Sequence, residues 1–201
     1  MILGSWHRSV VLTYVGAATS ALGMSLAISG HLRGAVAALV VAGLADLFDG
    51  PLARATTRTD AQRAFGVQVD SLTDVVSFVA FPVVLVSALV GEPWVVPVLA
   101  LYTVAGLARL THFTVAAGAD DTPRQFFHGL PVTYAALVLP LTALLRPHLG
   151  AAFGPLLAAV TAALAVLFVL DVPVPKPAGA AYAGLGLLAV ATLVALAVVG
   201  I

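Results

Sequence analysis

Seven apolar segments run through this chain, and their length limits the folds open to it. They lie near 10–28, 34–52, 66–90, 94–113, 128–146, 151–170 and 179–200. A helix needs about 20 apolar residues to cross the hydrocarbon core of a bilayer, and each segment is close to that length. In lipid the backbone must satisfy its own hydrogen bonds, so consecutive segments of this kind fold as helices packed on one another. The expectation is an all-α, polytopic transmembrane bundle of about seven spans, or six to eight depending on where segment edges fall. Such a bundle uses up the whole chain, which reads as one integral-membrane domain over 1–201.

Composition supports this reading. The chain is 61% hydrophobic and 9% charged, whereas a soluble domain carries about 25% charged residues. Nine basic residues balance nine acidic ones, so nothing points to nucleic acid. There is no cysteine, which removes disulfides, thiolate metal sites and cysteine nucleophiles together. The segment from Val10 to Ile28 is too long for a signal-peptide core and is expected to be retained as the first span.

Basic residues set the orientation. With the N-terminus in the cytoplasm and seven alternating spans, Arg8, Arg54, Arg58, Arg63, Arg109, Arg124 and Lys176 fall inside, and Arg33 and Arg146 outside. The reverse orientation inverts that ratio. The expectation is an integral protein of the cell membrane, with its N-terminus and its functional site on the cytoplasmic side.

The acidic residues are less easily placed in a purely structural membrane protein. Carboxylates within spans are rare and usually functional. Asp46 and Asp49 lie three apart at the end of the second segment, and Asp70 and Asp74 four apart at the start of the third. Both spacings put the pair on one helical face, and one short loop lets the two pairs face each other. Four carboxylates converging in a low-dielectric site need a compensating cation. An all-oxygen donor set points to Mg2+, Mn2+ or Ca2+ rather than zinc, and four carboxylates can bridge two ions about 4 Å apart. The plain alternative is that the acids are solvated at the interface. Gly50 and Gly66 allow close approach of a ligand. Arg54, one turn beyond Gly50, carries a guanidinium suited to bidentate phosphate contact; taken alone it would read as an interfacial anchor. Together these are the parts of a diphosphate site.

The residues resemble the CDP-alcohol phosphotransferase family, whose signature is D-x-x-D-G-x-x-A-R followed after a gap by G-x-x-x-D-x-x-x-D. Here Asp46, Asp49, Gly50, Ala53 and Arg54 fill the first block, and Gly66, Asp70 and Asp74 the second, so the catalytic signature spans 46–74. The gap, Ala55 to Phe65, is longer than the family's usual one, and the extra residues are expected in a loop. A narrower resemblance is to the phosphatidylserine synthase branch. It rests on Phe65-Gly66 through Asp70-Ser71-Leu72-Thr73-Asp74 to Ser77-Phe78, on Ala108-Arg109-Leu110, and on Phe127-His128-Gly129-Leu130-Pro131. Val79 and Phe81 depart from that branch's usual continuation, and residues after about 135 carry no motif.

The resemblance implies a reaction in phospholipid biosynthesis. A CDP-diacylglycerol-type lipid binds through its diphosphate, a small alcohol attacks the lipid-side phosphorus, and CMP leaves. It implies that Asp46, Asp49, Asp70 and Asp74 hold divalent metal, expected as two Mg2+ or Mn2+ ions, with Asp74 as general base. It implies that Asp46, Gly50, Ala53, Arg54 and Gly66 form the nucleotide and diphosphate site. The expected acceptor is L-serine, making the chain a CDP-diacylglycerol–serine O-phosphatidyltransferase. A serine carboxylate needs a cation, for which Arg109 is the candidate against a plain positive-inside anchor. Ser77 is a second acceptor candidate against a serine bonded to its own helix backbone. His112 and His128 lie near the same face and read first as structural. Trp6 and Trp94 read as interfacial aromatics. Gly16-Ala17-Ala18 and Ala180 to Gly186 permit close helix packing or a homodimer contact.

Other readings remain open on the sequence. The same family could take glycerol phosphate, inositol phosphate or another alcohol. A membrane prenyltransferase also holds diphosphate through acids, but it would need aspartate motifs on widely separated helices and usually Asn partners, and this chain has no Asn. An ion or proton transporter would place its acids at mid-span.

Overall fold

The structure is a computed structural model, and it describes residues 7, 10–119, 126–175, 177 and 179–199, without the side chains of 54, 116–119 and 126–128. Trp6, Arg8, Arg124 and Lys176, and the side chains of Arg54 and His128, therefore lie outside the described residues.

The chain folds as a helical bundle. The helices are α1 (Val11–Ile28), α2 (Leu32–Arg54), α3 (Asp60–Val90), α4 (Val96–Ala119), α5 (Ala135–Ala143), α6 (Arg146–Leu149), α7 (Phe153–Val169) and α8 (Ala180–Val198). Among the described residues, six stretches are long and apolar enough to cross a membrane. The fifth apolar segment is shorter than its expected 128–146. It forms a 3-10 turn at Val132–Tyr134 and then α5, roughly 18 Å at 1.5 Å per residue. Pro131 caps it and Pro140 interrupts its hydrogen bonding.

One small sheet accompanies the helices. Phe126–His128 (β1) pairs antiparallel with Pro173–Pro175 (β2). The amides of Gly129 and Leu130 continue the tie by donating to the carbonyls of Val172 and Leu167. The proline-rich break after α7 is thus held against the segment that leads into α5.

Small residues let the first helices approach closely. The buried face of α1 is Thr13, Gly16, Ser20, Gly23 and Ala27, alternating three and four apart as a helix–helix seam requires. A Cβ on Gly16 would touch that of Ala45, and one on Gly23 would stand 2.8 Å from the Cβ of Ala38. Gly16 therefore serves the internal seam and not a dimer contact. Outward faces carry large apolar residues such as Leu101, Val104, Leu187, Val190 and Val194, as a lipid-facing surface does.

Helix α3 begins earlier than the expected residue 66. Thr59 and Gln62 form a reciprocal capping box, with the Gln62 amide donating to Thr59 Oγ1 at 3.2 Å and the Thr59 amide to Gln62 Oε1 at 3.0 Å. The connection from α2 is therefore 55–59, and 60–65 are helical. The long gap in the signature is taken up largely as helix, not as loop.

Midway, α3 widens into a π-helical turn at Val75–Ala80, directly after Asp74. Pro82 supplies the reason: it has no N–H to donate to the carbonyl of Phe78, four residues back. The Phe81 amide reaches back five residues to Val76. The orphaned Phe78 carbonyl accepts instead from the Tyr102 hydroxyl of α4 at 2.7 Å. Tyr102 is fully buried, with its ring tilted against Phe168 of α7 at 5.4 Å between centroids.

Candidate active site

The end of α2 and the start of α3 bring three of the four signature aspartates together. Carboxylate oxygens of Asp46, Asp49 and Asp70 lie within 4.8 Å of one another. Asp74, one turn deeper on α3, sits within hydrogen-bonding reach of Asp46. Asp49 is buried and accepts a hydrogen bond at 3.2 Å from Thr13 Oγ1 on α1. That bond fixes one carboxylate from a third helix. Thr13 belongs to no signature, although its place in the small-residue seam of α1 is legible.

The donor set fits a hard divalent cation. It is all carboxylate oxygen, half-buried or buried, and no basic side chain is ion-paired to it among the described residues. Asp46, Asp49 and Asp70 could hold an ion between them, and Asp74 is placed to complete the set or to serve a neighbouring proton.

A pocket of about 100 Å3 opens outward from this cluster. Its walls include Thr13, Asp49, Gly50, Ala53, Gly66 and Asp70. Five signature residues from two sequence blocks thus line one space. Arg58, from the connection between the two helices, joins them; the signature does not mark it. The Arg54 side chain lies outside the described residues.

A second, larger pocket of about 490 Å3 lies between α4 and the end of α7. Ala108, Arg109, His112, Phe168, Leu170 and Asp171 line it. Arg109 is 6% exposed. Its Nη2 donates to the Gly129 carbonyl at 3.4 Å, and its guanidinium carbon stands 5.6 Å from the centre of the Phe113 ring. Its Nε is the single buried side-chain nitrogen or oxygen without a hydrogen-bond partner among the described residues. Gly129 is required here: its φ is +81°, and a Cβ would stand 2.9 Å from the Phe168 carbonyl oxygen and 3.4 Å from Arg109 Nε.

The two pockets lie on either side of one contact between α3 and α4. Ser71 on α3 and Thr114 on α4 lie 3.3 Å apart through their hydroxyls. Counting inward along the two antiparallel helices, Asp74 is about 4.5 Å and Arg109 about 7.5 Å from that contact, at 1.5 Å per residue.

Ser77 is not brought to either pocket. It is buried in the π-helical turn and accepts from Ser20 Oγ of α1 at 2.7 Å. The wider turn rotates it off the aspartate face and towards α1, so its bond crosses to another helix instead of returning to its own backbone.

The chain is similar to several known proteins. Archaetidylserine synthase of Methanothermobacter thermautotrophicus is 35% identical over 131 residues, 64% of this chain and 54% of that protein. The CDP-diacylglycerol–serine O-phosphatidyltransferase of Helicobacter pylori strain J99 is 35% identical over 113 residues, 55% of this chain and 44% of that protein. The protein of the same name in Saccharomyces cerevisiae is 35% identical over 111 residues, 52% of this chain and 39% of that protein. The chain thus spans about half the length of the curated relatives it matches. A family model for CDP-alcohol phosphatidyltransferase matches residues 6–199, nearly the whole sequence, and the chain belongs to that family.

Proposed function

We propose that the chain is a CDP-diacylglycerol–serine O-phosphatidyltransferase. The observation that carries the reading is the aspartate cluster together with a pocket that holds a buried Arg109 whose Nε has no acceptor, where α3 and α4 meet at Ser71 and Thr114. The names of the relatives support serine as the acceptor.

On this reading Asp46, Asp49 and Asp70, with Asp74, hold divalent metal. Mg2+ or Mn2+, as two ions, would neutralise charge on the diphosphate and on the departing CMP. Gly50, Ala53 and Gly66 leave room for the nucleotide against the backbone, beside Arg54. The serine carboxylate lies on Arg109, where a charge-assisted hydrogen bond answers the free Nε. Asp74 accepts the proton of the serine hydroxyl. That oxygen then bonds to the lipid-side phosphorus, the bond from phosphorus to the oxygen bridging to CMP breaks, and CMP carries away the electron pair.

The supporting arrangement also accounts for the substrates meeting at a membrane interface, one lipid-anchored and one soluble. The positive-inside count supports a cytoplasmic N-terminus and site in the cell membrane. The outward stripe of α8 and its small residues Ala180 to Gly186 support a homodimer contact there.

The test is a panel of serine, glycerol phosphate, inositol phosphate and other alcohols, each given with CDP-diacylglycerol to the purified chain. Phosphatidylserine with matched CMP release is expected, and D70N should abolish both. Turnover with another alcohol in preference to serine overturns the acceptor; turnover retained by D70N overturns the metal site.

A further inference from the structure

Arg58 has no place in the family signature, yet its side chain turns into the pocket that the signature builds. It lines that pocket beside Thr13, Asp49, Gly50, Gly66 and Asp70. Its Nη1 stands 3.8 Å from where a Cβ on Gly66 would be, so the guanidinium lies over the face of α3 that Gly66 leaves bare. Gly66 precedes Asp70 by one turn on the same face. The guanidinium therefore sits about 6 Å outward of the carboxylates, at 1.5 Å per residue.

No ion pair accounts for this orientation. Asp60, the first residue of α3, is paired with Arg63 at 3.6 Å. Arg58 has no ion pair among the described residues. Its backbone is fixed: the carbonyl accepts from Arg63 Nη2 at 3.5 Å, and Thr59 next to it caps α3. A snorkelling anchor would extend away from the protein towards headgroups. This one folds back over a bare glycine beside a carboxylate cluster.

We infer that Arg58 is a nucleotide-contacting residue, its guanidinium receiving the phosphate of the cytidylyl half of the lipid substrate and of the CMP product. The inference rests on the CDP-lipid reading above. The aspartates, which would hold the metal, lie at the inner end of the pocket, and Arg58 holds the outer end of the diphosphate. The long gap between the two blocks of the signature is what lets the chain turn back far enough to place it.

The experiment titrates CMP, with Mg2+ present, into the full chain in detergent by calorimetry, and measures KM for CDP-diacylglycerol and for serine. Arg58→Gln and Arg58→Ala are compared with wild type and with Arg33→Ala, an exposed arginine at the far end of α2. Loss of one charge-assisted contact should weaken CMP binding about 10–100-fold and raise the KM for CDP-diacylglycerol, with the KM for serine unchanged and R33A like wild type. CMP affinity in R58Q within twofold of wild type overturns the assignment, as does an equal rise in both KM values. R58Q keeps the reach of the side chain and decides the matter if R58A does not fold. Wild-type chain that takes no CMP would overturn the CDP-lipid reading itself; wild-type binding matched by R58Q would overturn the Arg58 assignment alone.

Discussion

The Tyr102 hydroxyl should be coupled to Pro82, although the two side chains belong to different helices. Pro82 deprives the Phe78 carbonyl of its helical donor, and Tyr102 supplies the replacement at 2.7 Å in the buried core. Tyr102→Phe leaves the ring on Phe168 but removes that donor. A buried acceptor left without a partner costs about 1–3 kcal/mol. For a chain of this size that lowers the thermal midpoint by about 2–12 °C, taking 2–4 °C per kcal/mol. In a Pro82→Ala background an N–H is restored four residues after Phe78, and the carbonyl no longer depends on the tyrosine. The cost of Y102F should then shrink by about 1 kcal/mol or more, which is the coupling expected of neighbours sharing one hydrogen bond. Unfolding of all four proteins in detergent, followed by circular dichroism, measures the cycle. If Y102F costs as much in the P82A background as in the wild-type chain, the proline is not what orphaned the carbonyl, and this account of the π-helical turn is wrong.

Other outcomes follow from the two pockets. Chelating divalent cations should stop CMP release, and Mg2+ or Mn2+ should restore it; activity indifferent to chelation would refute a metal among Asp46, Asp49 and Asp70. Arg109→Ala should raise the KM for serine at least tenfold, the scale of one charge-assisted contact at about 1.5–3 kcal/mol, with little effect on the KM for CDP-diacylglycerol; equal effects would remove Arg109 from the acceptor pocket. Gly129→Ala should cost stability, because an L residue at positive φ loses roughly 1–2 kcal/mol before its Cβ meets the Phe168 carbonyl. The same change should raise the serine KM by displacing Arg109; an unchanged thermal midpoint would contradict the tight approach at Gly129.

Periodicity and spacing made the bundle and the aspartate cluster legible. Asp46/Asp49 and Asp70/Asp74 had to share helical faces, and the structure brings three of those carboxylates within 4.8 Å. What escaped depended on backbone hydrogen bonds that hydropathy does not register. The capping box of Thr59 and Gln62 moved the start of α3 from 66 to Asp60, because an amphipathic first turn carries no apolar signal. The π-helical turn moved Ser77 from the aspartate face to Ser20, because one missing N–H at Pro82 alters the phase of everything between it and Asp74. The fifth segment is apolar enough for a span, but its prolines hold β1 and a short helix in that place.

Those same departures divide the work of the protein. The carboxylates and the small pocket are built by α1, α2 and the first half of α3, with Thr13 and Arg58 added from outside the signature. The larger pocket is built by α4, the end of α7 and the turn at Gly129 that the β1–β2 pair anchors. Among the described residues, polar contacts that join the halves include Ser71 with Thr114 near the pockets and Tyr102 with the Phe78 carbonyl below them. On the proposed reading, the first half handles what every CDP-linked substrate has in common, and the second handles the acceptor. A change of acceptor then requires new side chains around residues 109–112 and 168–171 but no change in the aspartates. On the same reading, Asp74 is a signature residue that serves both halves. It lies within reach of Asp46 on one side, and on the other it sits immediately before the π-helical turn whose carbonyl α4 secures. Its placement therefore depends on a tyrosine outside the carboxylate cluster, which is why the unfolding cycle at Tyr102 and Pro82 also bears on catalysis.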